Sequence, residues 1–370
     1  MKLRTPYPVI SAERLRANIA RMQALATHAG VRLRPHAKTH KSPEIARMQL
    51  EAGAVGICCA KLGEAEVFAD HGITDIRVPY PVNPSNADRA LALLDRIRLS
   101  IIVDDEDVAT DWSSAMTGAG KQLDVLVKVD VGFHRCGMDP ASTDLVERIT
   151  RISRLPGLAF KGILSHAGHA YHATSQEELE AITATETEIM IGLAGRLRDA
   201  GVSVEEISVG STPTASFAPS QRGITEMRPG NYVFYDRTQV GLGSATIGDC
   251  AMFIVASVVS RPAPDRVILD CGTKTLTSDG ARGFAETPGH GLVFLASSED
   301  TPDARIVVER LSEEHATCRV PADSPLRPGD RVRVLPNHSC PVTNLMDSVW
   351  LAETDGSMRR LAIAARGRIW

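Results

Sequence analysis

The sequence lacks a disulfide framework: its seven cysteines, at positions 58, 59, 136, 250, 271, 318 and 340, are odd in number, scattered, and free of Cys-x-x-Cys spacing. They read as thiols or single ligands. An excess of one charge is also missing, because 41 basic side chains stand against 45 acidic ones, and nothing selects nucleic acid or an anionic membrane as a partner. The segment Met1-Lys2-Leu3-Arg4-Thr5-Pro6-Tyr7-Pro8 meets charge before any long apolar run, which predicts a cytoplasmic chain with no secretory leader or membrane anchor. Gly241-Leu242-Gly243 precedes Gly248 without Gly-x-Gly-x-x-Gly spacing, so no dinucleotide fingerprint is present. Low-complexity tracts are absent, and so are repeats beyond strand-helix units. With 370 residues, 43% of them hydrophobic and 23% charged, the remaining class is a globular protein of about two domains that handles small molecules.

Ser11 caps a predicted helix to about Ala29, in which Leu15, Ile19, Met22 and Leu25 recur at helical spacing before Gly30 stops it. Short β-branched-rich runs follow at 31–37, 56–60, 75–82, 98–104, 123–130, 160–166, 204–210 and 226–235. The gaps read as helices, one opened by Ser42-Pro43-Glu44, one over Leu62–Asp70, one begun at Asp139-Pro140 and the longest over Ser175–Ala200. Eight such units predict an α/β fold of the TIM-barrel type, a (β/α)8 barrel over residues 11–240, rather than an open doubly wound sheet. After Gly241-Leu242-Gly243-Ser244 the pattern turns to period two. Strands over 251–259, 266–269, 291–295, 304–311, 317–320, 331–335 and 348–351 predict an all-β C-terminal domain over residues 241–370, with residues 1–10 packing against it.

Barrels of this kind work at the carboxyl ends of their strands, so those ends hold the candidate site. Lys38 lies in Arg34-Pro35-His36-Ala37-Lys38-Thr39-His40-Lys41, after the first strand. Its histidine and cation neighbours disfavour the protonated amine, as a Schiff-base lysine requires, although the octapeptide also reads as a solvated basic loop. The seventh strand ends in Gly210-Ser211-Thr212-Pro213-Thr214 and the eighth run holds Arg228-Pro229-Gly230-Asn231-Tyr232. At this strand pair, hydroxyls and unobstructed amides predict a phosphate cradle, while Gly-Ser-Thr taken alone is a common turn. Arg135, in the glycine-bounded turn after the fifth strand, would keep a facing pyridine nitrogen unprotonated, or else is a surface or salt-bridge arginine.

Two histidine groupings bear on metal binding. His166, His169 and His172 would align on a helix, but Ala167-Gly168 directly after a strand predicts a loop there. His338-Ser339-Cys340 follows a strand, where an extended segment would project both side chains to one side. Nitrogen and sulfur suit zinc, and two protein ligands leave positions for water or a substrate hydroxyl. A buried cysteine beside a loop histidine is the alternative.

The segments Arg34 to Lys41, Gly210 to Thr214, Gly230-Asn231-Tyr232-Val233-Phe234-Tyr235-Asp236 and Pro336-Asn337-His338-Ser339-Cys340 together resemble the D-threonine aldolase and D-serine dehydratase family of alanine-racemase-fold pyridoxal phosphate enzymes. The resemblance spans essentially the whole chain. It implies pyridoxal 5'-phosphate on Lys38 and Arg135 facing the pyridine nitrogen. Tyr171, Gly210, Ser211, Thr212, Gly230, Asn231 and Tyr232 would lie around the cofactor. It also implies a divalent metal on His338 and Cys340, a D-amino acid substrate, and a head-to-tail homodimer with active sites at the interface.

Within the family, the aldolase branch carries a carboxylate where this chain has Cys340, which favours magnesium or manganese; the thiolate resembles the zinc-dependent dehydratases. His166-Ala167-Gly168 with Tyr171 is also dehydratase-like, whereas the His36 to Lys41 segment is as typical of aldolases. The resemblance therefore implies a lyase that eliminates water from D-serine or D-threo-3-hydroxyaspartate to give an oxoacid and ammonia. The alternative is an aldolase giving glycine and an aldehyde, with His169 or His172 as the base. An amino-acid racemase and a non-catalytic pyridoxal phosphate carrier follow behind.

Overall fold

The computed structural model describes residues 3–285, 288–298 and 300–370. Its first strand, β1 (Tyr7–Ser11), leads into α1 (Ala12–Ala29), where Ser11 Oγ accepts from the Arg14 amide at 3.3 Å and Gly30 ends the helix at a φ of 69°. The buried stripe of α1 is Leu15, Ile19, Met22 and Ala26, which is the predicted spacing.

Eight parallel strands follow: β2 (Arg32–Leu33), β3 (Ile57–Cys58), β4 (Asp75–Pro81), β5 (Arg98–Val103), β6 (Leu123–Lys128), β7 (Leu158–Leu164), β8 (Glu206–Val209) and β9 (Glu226–Met227). They form one curled sheet in the order β2-β9-β8-β7-β6-β5-β4-β3. Its two ends meet, because the Cys58 amide donates to the Pro35 carbonyl at 2.8 Å and His36 bridges Cys58 in parallel. Around this sheet run α2 (Pro43–Glu51), α3 (Leu62–Asp70), α4 (Ala87–Leu94), α5 (Glu106–Gly118), α6 (Leu145–Ser153) and α7 (Gln176–Asp199). The strand predicted over 226–235 is far shorter than expected. Pro229 has no amide to give the ladder, and the chain turns into a 3-10 segment at Asn231–Val233 before α8 (Arg237–Gly241).

The C-terminal domain is built from β10 (Met252–Ala263), β11 (Arg266–Leu269), β12 (Leu292–Leu295), β13 (Val307–Leu311), β14 (Ala316–Arg319), β15 (Arg331–Leu335), β16 (Ser348–Ala352) and β17 (Met358–Ala362). Two short helices interrupt it, α9 (Thr273–Leu276) and α10 (Ser339–Leu345). β1 lies in this sheet, antiparallel to β10 with Tyr7 opposite Val255 and parallel to β16 with Val9 opposite Trp350. Met1 and Lys2, of the N-terminal stretch predicted to pack here, fall outside the described residues. β17 was not foreseen, since only Leu361 of its five residues is buried and no alternation shows.

Inside the curled sheet, apolar and charged groups divide the space. Ile102, Leu126 and Leu164 form a small cluster of their own. Beside them lies a buried ion network: Arg34 Nε donates to Glu226 Oε2 at 2.8 Å, Arg77 Nη2 to Glu206 Oε2 at 2.6 Å, and Ser208 Oγ to Glu226 Oε1 at 2.6 Å. Burial alone would raise the Glu226 carboxyl, but Arg77 and Arg34 outweigh it and hold the group down to about 2. The charges are thus paired, as burial demands.

Candidate active site

A cavity of about 280 Å³ opens at the carboxyl ends of the barrel strands, between them and the C-terminal domain. Lys38 lines it from a one-turn 3-10 segment, Ala37–Thr39, directly after β2. His36 Nδ1 accepts from the Lys38 amide at 3.4 Å. Desolvation, followed by Lys38, Arg228 and His166, holds His36 well below an ordinary imidazole. His166 is held low in the same way, by desolvation and then Lys128 and Lys38. Its Nδ1 lies 3.3 Å from the Gly210 carbonyl, which only a ring N–H can satisfy, so the other ring nitrogen is left with its lone pair.

The ends of β8 and β9 make the second wall. Gly210 adopts a φ of +112°, a backbone setting that favours glycine, and a Cβ on Gly230 would sit 2.9 Å from the His36 carbonyl oxygen. The first and last barrel strands therefore approach closely only because residue 230 has no side chain. The Ser211 amide is taken by Thr214 Oγ1 at 3.1 Å, which fixes this turn. Thr212 Oγ1 and Asn231 Oδ1 are buried without hydrogen-bond partners. Orphaned polar atoms of this kind cost about 1–3 kcal/mol each and mark a place for a ligand.

The third wall comes from the C-terminal domain. His338 does not lie in an extended run with Cys340, as predicted; it is the extended residue just before α10, and Cys340 sits in the first turn of that helix. A 3-10 or α turn still brings both side chains to the cavity. His338 Nδ1 lies 2.6 Å from Asp279 Oδ2. Cys340 Sγ is 3.2 Å from Thr39 Oγ1 and 3.6 Å from Asn231 Nδ2, whose amide also donates to the buried Asp236 at 2.6 Å. Burial would lower His338, but Cys340, then Asp236 and Asp279, raise it; burial would raise Cys340, but His338 brings it below a free thiol. The pair favours imidazolium and thiolate.

Of the residues singled out from the sequence, Lys38, Arg135, Tyr171, Gly210, Ser211, Thr212, Gly230, Asn231, His338 and Cys340 line this one cavity. Three do not. Tyr232 is fully buried and its hydroxyl accepts from Gln49 Nε2 at 2.9 Å, which makes it a core residue behind the cavity. His169 and His172 lie on a 3-10 segment, Gly168–His172, that replaces the expected loop, and neither ring lines the cavity. Sequence reasoning missed Lys128 and Arg228. Burial and Arg228 lower the Lys128 amine to about 7. Arg228 is buried and its guanidinium donates to Ser208 Oγ and to the Ser165 carbonyl, whereas Arg135 is exposed, 5.0 Å from the Phe133 ring centre.

Residues 10–238 match the model of the alanine racemase N-terminal domain, and residues 251–352 match that of a putative serine dehydratase domain. A D-threonine aldolase from Arthrobacter is 35% identical over 98% of this chain and 93% of its own length. This chain belongs to the D-threonine aldolase and D-serine dehydratase family. Another member, the D-threo-3-hydroxyaspartate dehydratase from Delftia, is 34% identical over 97% of each chain. The solved structure of that dehydratase superposes with a TM-score of 0.92, covering 98% of this chain and 97% of its own. Two further solved structures, variants of a D-threo-3-hydroxyaspartate dehydratase, replace one histidine and one cysteine, two positions apart, with alanine, the cysteine variant in a metal-free form. The same spacing, His-x-Cys, is found here at His338 and Cys340.

Proposed function

We propose that the protein is a pyridoxal-phosphate- and metal-dependent lyase that eliminates water from 3-hydroxy-D-amino acids, giving an oxoacid and ammonia. The observation that carries this reading is that a single cavity joins Lys38, the glycine-lined ends of β8 and β9, and His338 with Cys340. The residues present fit both groups. The Thr212 hydroxyl is a buried donor with no acceptor, suited to a phosphate oxygen, and Asn231 Oδ1 is an acceptor with no donor. Asp279 occupies one ring nitrogen of His338 and leaves the other for a metal, the carboxylate–histidine arrangement that orients metal ligands. Imidazole and thiolate favour zinc over magnesium or manganese.

Bound pyridoxal phosphate supplies an electron sink for charge left on the α-carbon, and the metal supplies Lewis acidity to the β-hydroxyl. Lys38 holds the cofactor and its Nζ takes the α proton. Gly210, Ser211, Thr212, Gly230 and Asn231 seat the phosphate, with Tyr171 beside them. Arg228 is the better partner for the ring nitrogen than Arg135, because it is buried at the cavity floor and fixed by Ser208 and Ser165. A guanidinium keeps its own proton and so gives none to that nitrogen, a weak sink that makes help for the leaving hydroxyl necessary.

Cleavage to glycine and an aldehyde, the activity named for the Arthrobacter relative, is the second reading. It needs a base for the hydroxyl proton. His169 and His172 do not line the cavity, but His166 does, and its imidazole is neutral. A homodimer working in the cytoplasm belongs to the same proposal; among the described residues no helix is long and apolar enough to cross a membrane. The test is a product assay on the holoenzyme. D-threo-3-hydroxyaspartate or D-serine gives oxoacid and ammonia, chelation stops it, zinc restores it best, and Lys38→Ala abolishes the absorption band of the lysine-bound cofactor. Glycine and an aldehyde from D-threonine would transfer the assignment to cleavage, and no turnover of any of the three would overturn the lyase reading.

A further inference from the structure

We propose that Arg282 binds a side-chain carboxylate, so that the substrate is a dicarboxylic 3-hydroxy amino acid, 3-hydroxyaspartate, in preference to D-serine or D-threonine. The proposal rests on the lyase reading above and names the substrate class within it.

The cavity lining holds no aspartate or glutamate, yet Lys38, Lys128, Arg135, Arg228 and Arg282 all face it. A cofactor phosphate carries a charge of about −1.5 to −2, which accounts for part of this cationic field. Lys38 is occupied by the cofactor itself, and Lys128 and Arg228 are buried at the floor. Two arginines remain near the open end, from different walls: Arg135 in the turn after β6, and Arg282 in the loop that follows α9 in the C-terminal domain. Two cations suit two carboxylates, one on the α-carbon and one on the side chain.

Arg282 is the one placed for the side chain. With Tyr171 and His338 it lines both the main cavity and an adjoining one of about 320 Å³. Its backbone is clamped onto the end of α8. The Phe284 amide donates to the Gly241 carbonyl at 2.9 Å, a Cβ on Gly283 would lie 2.6 Å from Gly241 Cα, and a Cβ on Gly241 would lie 2.5 Å from the Arg282 carbonyl oxygen. The backbone from the arginine's carbonyl to Phe284 is thus held by a glycine-to-glycine contact that leaves no room for a Cβ. The neighbouring Asp279 is engaged by His338 at 2.6 Å, and among the described residues no carboxylate pairs with Arg282. In 3-hydroxyaspartate the hydroxyl and the side-chain carboxylate share one carbon. A hydroxyl held at His338 and Cys340 therefore brings that carboxylate toward the wall that Arg282 shares with His338. D-Serine has a hydrogen in its place and D-threonine a methyl, and neither gives Arg282 a partner.

The experiment compares the holoenzyme with Arg282→Gln and Arg282→Lys. Binding of D-aspartate and D-alanine, which have no hydroxyl to lose, is read from the cofactor's absorption change, and kcat/KM is measured for D-threo-3-hydroxyaspartate and D-serine. The expected result for Arg282→Gln is a roughly 10- to 100-fold fall in the ratio of the two kcat/KM values, expressed in KM, with the preference for D-aspartate over D-alanine falling by the same factor. Arg282→Lys should regain part of both. An equal change for mono- and dicarboxylic ligands, or no change, overturns the proposal. A holoenzyme that prefers D-aspartate through Arg282 but turns over neither hydroxy acid defeats the lyase reading and supports the carboxylate site.

Discussion

Asp279 makes no contact that the sequence advertises, yet it is the residue that sets the tautomer of His338, 2.6 Å away. A neutral aspartate analogue cannot accept the imidazole proton as a charged partner does. Asp279→Asn is expected to weaken metal binding by roughly 10- to 100-fold, the usual cost of losing such an outer partner, with activity recovered at high metal concentration. Metal titration of the apo-protein checks it, and unchanged affinity would mean that Asp279 does not orient the ligand. Residues of this kind were illegible because Asp279 and His338 are far apart in the chain and meet only through the fold. Others were legible and went unread. Along a strand, residues two apart share a face, so Leu126 and Lys128 of β6 point one way, and Arg228 continues the face of Glu226 just past the end of β9. Lys38, on a 3-10 turn beyond its strand, is marked instead by its histidine neighbours. Extending the inward register of β6 from Leu126 and of β9 from Glu226 places Lys128 and Arg228 in the same cavity.

At the scale of elements, the short 3-10 segment that carries Lys38 is held from behind by a relay. The Ser42 amide donates to His40 Nδ1 at 3.1 Å, which puts the ring proton on Nε2 facing Gln49 Oε1 at 3.2 Å, and Gln49 in turn donates to the Tyr232 hydroxyl at 2.9 Å. The relay joins the Lys38 turn, α2 and the 3-10 segment after β9, and it explains why Tyr232 is buried structure rather than a cofactor contact. It works only with a neutral ring. Desolvation lowers His40 from 6.5 to about 4, so the folded state stays neutral while the unfolded chain takes up a proton. Its contribution is therefore full above pH 6.5 and is lost as the pH falls toward 4, at about 1.4 kcal/mol per unit and about 3 kcal/mol in all. His36 and His166 are shifted the same way and add to the loss. Urea unfolding between pH 7 and 5 should show a shallower pH dependence in His40→Asn than in the natural chain, by about 1.4 kcal/mol per pH unit at most. Parallel curves would show that His40 is protonated in the folded state. The elements themselves were largely legible: all eight barrel runs became strands, because β-branched residues bounded by turn signals cover buried parallel strands well. What misled was the last run, where apolar Tyr232, Val233 and Phe234 are buried in a turn and not in a strand.

For the whole molecule, the order of the chain and the order of the sheet disagree, and the disagreement ties the two domains together. β1 precedes the barrel but lies between β10 and β16, so removing it opens two interior strands of the C-terminal sheet. Exposed strand edges pair with other chains. Residues 251–370 alone are therefore expected to aggregate and to show no cooperative thermal transition. The register supplies the remedy. Ile10 faces Met252 in the antiparallel β1–β10 pair, and the Ser11 amide donates to the Ala251 carbonyl at 2.9 Å, so a two-residue Asn-Gly turn can join Ser11 to Ala251 as a hairpin without the barrel. A chain of residues 3–11, that turn, and residues 251–370 should unfold cooperatively by calorimetry where the shorter fragment does not. Cooperative unfolding of residues 251–370 without β1 would show that the strand is peripheral. The hairpin chain would still lack Thr39, whose carbonyl accepts from Thr343 Oγ1 at 2.7 Å, and Asn231, which contacts Cys340. The proposed metal site on it would then lose the barrel's half of its surroundings, so the cavity needs both domains in one molecule even where the hairpin chain folds by itself.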